Sequence, residues 1–176
     1  VEWQLIQRLH GRNGIDPVLS PLVQALIAGQ DEVLAPLAMN FLAAQARFGQ
    51  QQQRMELPLG ELPAELLHQL LGVAEAHLLS GDDDDDADIE SAMQAIRSAQ
   101  NESASRLALA ARLVAGIGGG ARAALAAEHA GTAIFITALA AFTGLARETV
   151  IMATSECQLP RLTLALTASG LKPAEV

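Results

Sequence analysis

Apolar residues in this chain recur at intervals of three and four far more often than they alternate, which is the spacing of one face of an α-helix. Leu34, Leu37, Phe41 and Phe48 fall on one such face, in a segment that begins after Asp31 and runs to about residue 50. Pro36 lies in its first turns, where a missing N–H costs little. Leu62, Leu66, Leu67, Leu70, Leu71, Ala74 and Leu78 form a second stripe, with Pro63 near the first turn. The longest pattern starts after residue 86. There Ile89, Met93, Ile96, Gln100, Ser103, Leu107, Ala110, Val114 and Ile117 alternate intervals of four and three, a heptad-like repeat that packs within one chain or forms a dimer seam. Its middle, 98–105, is polar and weakly helix-forming. The pattern therefore predicts either one long helix or two with a break there, and an i,i+4 pair of Glu102 with Arg106 favours continuity.

Shorter helices are expected over 1–10, 17–28, 121–128 and 132–142. Two more are expected within 147–169, separated near Pro160 and closed by Gly170. The predicted fold is all-α, a multi-helix bundle of about eight or nine helices. A helical-repeat-like arrangement stays open, because 35–47 and 135–147 share a few positions. Composition agrees: 51% of residues are apolar, aromatics are only 3%, and Leu and Ala, both strong helix formers, dominate. Five consecutive aspartates, Asp82 to Asp86, repel one another and resist burial. They suggest an acidic linker over 80–86, between an N-terminal helical half, 1–79, and a C-terminal half, 87–176, that pack as one domain or two.

Charge narrows the function classes. The net charge of −9 disfavours phosphate backbones and anionic membrane surfaces. The longest uncharged stretch, 131–146, is shorter than the roughly 20 apolar residues that a spanning helix needs. No basic segment followed by an apolar run opens the sequence, and Cys157 is the single cysteine. The expectation is a cytoplasmic protein without a signal peptide, a membrane span or an intrachain disulfide.

Several motifs come close to a known chemistry and then depart from it. Read from Asp82, the aspartate run begins like a calcium loop, but Ala87 stands where glycine is required and Met93 where a bidentate glutamate is required. Gly116, Gly118 and Ala121 fit a loose dinucleotide pattern, yet a helix precedes them instead of a strand, and nothing acidic lies between Glu128 and Glu148. His10, His68, His77 and His129 lack i,i+4 partners, so no metal site is expected. Nothing around Cys157 matches an activated thiol, so no nucleophile is assigned. The segment 139–150 has the small residue, turn glycine and inward valine of a helix-turn-helix. Its second helix, with Arg147, Glu148, Met152, Thr154 and Glu156, is poor in base-reading side chains. Arg47, Arg54, Glu56 and Glu61 surround a proline-bearing loop and are the candidate interaction or ligand site, for which surface ion pairing is the plainer explanation.

Two stretches carry a family resemblance. One is Ala43-Ala44-Gln45-Ala46-Arg47-Phe48, followed by Arg54-Met55-Glu56-Leu57-Pro58-Leu59-Gly60-Glu61-Leu62-Pro63 and Leu66-Leu67-His68. The other is His129-Ala130-Gly131-Thr132 through Phe135, with Leu139-Ala140, Thr143-Gly144-Leu145 and Ser169-Gly170-Leu171. Together they resemble the alphaproteobacterial proteins grouped as domain of unknown function 2336. The resemblance implies an all-helical bacterial cytoplasmic protein and carries over no catalytic residue. The expected function is a non-enzymatic regulatory or scaffolding module with protein partners, a homodimer among them, and no cofactor. The alternatives are a DNA-associated regulator using 139–150, with nucleic acid disfavoured by charge, and a helical ligand-binding protein.

Overall fold

Each break in the helical pattern has a local cause. Ser20 caps the second helix by accepting from the Val23 N–H. Asp31 accepts from the N–H groups of Val33 and Leu34, both at 2.8 Å, and turns the chain into the third. The computed structural model describes residues 1–78 and 86–172. Among these residues there are ten α-helices and no strand: α1 (Glu2–Asn13), α2 (Pro21–Ala28), α3 (Leu34–Gln53), α4 (Ala64–Leu78), α5 (Asp86–Ala99), α6 (Arg106–Ile117), α7 (Ala127–Ala130), α8 (Thr132–Thr143), α9 (Arg147–Ala153) and α10 (Leu159–Ala168). The fold is all-α, with slightly more helices than the periodicity predicts. Asp82 to Asp85, on which the linker and calcium-loop expectations rest, lie outside the described residues.

Of the two readings left open for 87–117, one long helix or two with a break at 98–105, the structure has two helices. Glu102 does not pair with Arg106. Its carboxylate accepts from the Ala64 N–H at the start of α4, while Gln100 Nε2 donates to Leu62 O at 2.6 Å. Asn101 Oδ1 accepts from the Ser103 N–H, and Ser105 Oγ then caps α6 by accepting from Ala108. Polar side chains here bond locally to backbone, which competes with continuing the helix. The segment expected as a helix over 121–128 is mostly a 3-10 helix, Gly118–Leu125.

The main core draws on both sides of the aspartate run. α3 packs on α6, α2 on α3, and α8 lies among α6, α1, α9 and α10. Ile134, Ile136 and Leu139 of α8 are fully enclosed, as is Leu113 of α6. Gly131, which precedes α8, has φ 77°, and a side chain there would sit 3.0 Å from the Ser20 Cβ, so glycine suits the position twice over. A second, smaller core lies between α4 and α5, built on Leu67, Leu71 and Met93. The leucine stripe of α4 is thereby split: Leu67 and Leu71 point into this seam, whereas Leu66 and Leu70 are exposed. The heptad-like stripe is likewise used inside the chain, Met93 in the small core and Ala110 and Val114 in the large one.

Candidate functional site

Among the described residues, a cluster of paired charges lies inside the molecule. Glu2, in the first turn of α1, places its carboxylate between two arginines that each begin a helix. Its Oε1 accepts from Arg106 Nη1 at 2.8 Å and from Arg147 Nη2 at 2.7 Å, and its Oε2 accepts from Arg106 Nη2 at 3.1 Å. Arg106 is only 2% exposed. Its backbone N–H donates to Glu61 Oε1 at 2.9 Å, and its guanidinium lies 4.2 Å from the centroid of the Phe48 ring, which meets Trp3 edge to face. Gln45 adds an acceptor to Arg106 Nη1 and donates to Pro17 O. Arg147 also reaches Thr137 Oγ1 and the Ala133 carbonyl. One carboxylate thus ties α1, α6 and α9 together, and the arginines extend the tie to α3, α8 and the short turn at Glu61.

This arrangement holds elements in place. The donors that face Glu2 are spent on it, and Arg106 Nε stands 3.9 Å from Glu61 Oε2, close enough for charge attraction but too far for a hydrogen bond. Burial alone pushes the Glu2 carboxyl up, but the hydrogen bonds and charges of Arg106 and Arg147 outweigh it, and the net direction is down from 4.5. A carboxyl depressed on folding contributes stability that is complete above its unfolded pKa and is lost as the pH falls through the folded one. Denaturation midpoints of the native chain and of Glu2→Gln should therefore differ most at neutral pH and converge as the pH is taken below 4.5. Midpoints that stay equally far apart down to pH 3 would show that the Glu2 charge adds nothing.

The residues singled out from sequence do not converge. Glu61 turns inward to Arg106. Arg54 and Glu56 form an exposed pair at 3.8 Å, with side chains 71% and 52% accessible, a geometry worth little. Arg47 lies on the outer side of α3, in a shallow groove shared with Asn40, Ser103 and Arg112. Sequence reasoning missed Glu2 as a partner altogether, because residues 104 and 145 positions apart leave no local spacing to read.

The helix-turn-helix expectation finds its local geometry. α8 ends at Gly144 with φ 68°, and α9 leaves at 113°. Its single arginine, however, is the one bound to Glu2, and the outward positions carry Glu148, Thr149 and Met152. Beside this turn, α10 closes a groove of about 380 Å³ lined by Leu145, Thr149, Ala153, Leu164 and Ala168, with Arg161 among its polar atoms. Leu164 is 70% exposed there. No group of three or more His, Cys, Asp or Glu side chains that could hold a metal occurs among the described residues. Arg106–Leu125 is long and apolar enough to cross a membrane by length and composition, and it places Arg106, Leu109, Ala110 and Leu113 in the interior of this fold. No family model, curated protein or solved structure matches the chain.

Proposed function

We propose that this chain is a non-enzymatic helical interaction module, regulatory or scaffolding in role, whose groove between α8, α9 and α10 receives an amphipathic helix of a partner protein. The observation that carries the reading is the exposed apolar lining of that groove, with Leu145, Leu164 and Ala168 open to solvent over a floor of Ala153 and Ala165. Apolar anchors at helical spacing suit such a groove, and an acidic residue beside them would meet Arg161. The internal charges support the same reading, since Glu2, Arg106 and Arg147 are consumed in joining helices. A bacterial cytoplasmic setting, and membership of the domain 2336 group, rest on the sequence resemblance.

The 113° angle between α8 and α9 favours a second reading, a DNA-associated regulator. It asks for outward cations on α9, and Arg147 is turned the other way. A tagged pull-down from the native bacterial lysate, with and without nuclease, separates the two. A stoichiometric protein partner that survives nuclease and is lost with Leu164→Glu supports the groove. Capture that vanishes with nuclease, together with salt-sensitive binding to duplex DNA, supports the second reading instead.

A further inference from the structure

The first N–H groups of an α-helix have no acceptor within it and must find one elsewhere. At α2 the Ser20 hydroxyl supplies one. At α8 the residue before the first turn is Gly131, which has no side chain to offer. This helix end is also closed to solvent, since Gly131, Thr132, Ala133 and Ile134 are all buried. Thr132 adds to the shortage. It is 4% exposed, and its Oγ1 is buried without a hydrogen-bond partner. The other threonines of α8, Thr137 and Thr143, each donate to the carbonyl four residues back, which for Thr132 would lie across the turn at Gly131.

Thr132, Ala133 and Ile134 line a small cavity, which Ser20, Gln45 and Asp16 share. It leaves about 10 Å³ for a water-sized sphere, close to the least that admits one water molecule. That size excludes a phosphate or an organic acid. A metal cation would face the positive end of the helix dipole. A halide would suit the helix end, but the Asp16 carboxylate lines the same cavity in a chain of net charge −9. Water both donates and accepts, and the lining asks for both. Gln45 is already spent on Pro17 O and Arg106. Ser20 Oγ accepts from the Val23 N–H and keeps its own proton to give. Gly131 brings that hydroxyl to α8: a Cβ on the glycine would lie 3.5 Å from Ser20 Oγ. We propose that the cavity is a water-binding site, in which one long-lived water accepts from a first-turn N–H of α8 and hydrogen-bonds Thr132 Oγ1 and Ser20 Oγ, joining the starts of α8 and α2. The site is separate from the α8–α10 groove and does not depend on it.

A crystal structure of the full native chain, grown with bromide as the sole halide, reads the site directly. The expected density is one water oxygen within about 3.2 Å of Thr132 Oγ1 and of a backbone nitrogen in residues 132–134, with no anomalous bromide signal. In solution, oxygen-17 relaxation dispersion counts the waters held for longer than the molecule takes to tumble. Thr132→Val keeps the shape of the side chain and removes its hydroxyl, so it should lower that count by one with unchanged helical circular dichroism. Thr167→Val removes an exposed hydroxyl that bonds within α10, and should leave the count as it is. A native site without water density, or one that holds bromide, overturns the proposal. So does a folded Thr132→Val chain whose count equals that of the native chain. Neither result touches partner capture by the groove, which Leu164→Glu reads independently.

Discussion

Arg106→Ala is expected to lower the stability of the chain by about 3–5 kcal/mol, because it leaves Glu2 and Glu61 as partly buried carboxylates without their principal cation. For a chain of this size that corresponds to about 6–20 °C in melting temperature. Two further losses go the same way. The guanidinium packs on Phe48, and Phe48 in turn supports Trp3 of α1, so truncation loosens the seat of the first helix as well. Arg106→Lys should recover little. A lysine brings the charge, but it cannot donate to both oxygens of Glu2 in the forked geometry seen here while reaching Gln45. Urea denaturation followed by circular dichroism measures both variants, and a loss under about 1 kcal/mol for Arg106→Ala would mean that the cluster is ornamental to stability.

The second large effect distinguishes the two cores. Leu113→Ala empties a fully enclosed site between α6 and its neighbours and should cost about 2–5 kcal/mol of global stability. Leu71→Ala removes the same atoms from the seam of the α4–α5 hairpin, where, among the described residues, only Leu67 and Met93 are equally buried. Its effect should be local. Amide exchange in α4 and α5 should quicken while that of α6 and α8 holds, since a region with few buried contacts opens below the global free energy. In Leu113→Ala, by contrast, protection should fall across all the central helices together. If Leu71→Ala lowers protection in α8 as much as in α4, the two cores are one cooperative unit.

The periodicity of Leu, Ala and Ile was enough to reveal the class of fold, because helix formation here is driven by residues whose spacing is local. Element limits were legible where a marked boundary residue stood, as with Asp31 and Gly170, whereas the second helix, expected from residue 17, begins at Pro21 behind the cap of Ser20. The break between α5 and α6 was the ambiguous case. Glu102 and Arg106 have the spacing of a helix pair, and only the tertiary fold shows that each is drawn away, one to the α4 backbone and one to Glu2. The candidate site was legible in one member. Glu61 belongs to a charged cluster, but with Arg106, whereas the nearby Arg54 and Glu56 pair in solvent. Proximity in sequence marked the exposed pair and hid the buried one. The apolar stripe of α4 shows the same limit in another form: seven residues fit one broad face, and the position of α5 decides which of them are covered.

The reach of Glu2 has a consequence for how the chain is assembled. Its partners lie 104 and 145 residues away, so during synthesis the first helix emerges long before either arginine exists. α3 and the hairpin can gather local contacts early, but loops this long close late. α1 can meet Phe48 of α3 through Trp3 early, but its charged anchor is complete only when α9 has been made. Val1, which is largely exposed, is the point where any preceding sequence would join, one residue from the carboxylate that completes the structure. A fusion partner placed there would sit beside the Glu2 anchor, the tie of longest reach in sequence described above.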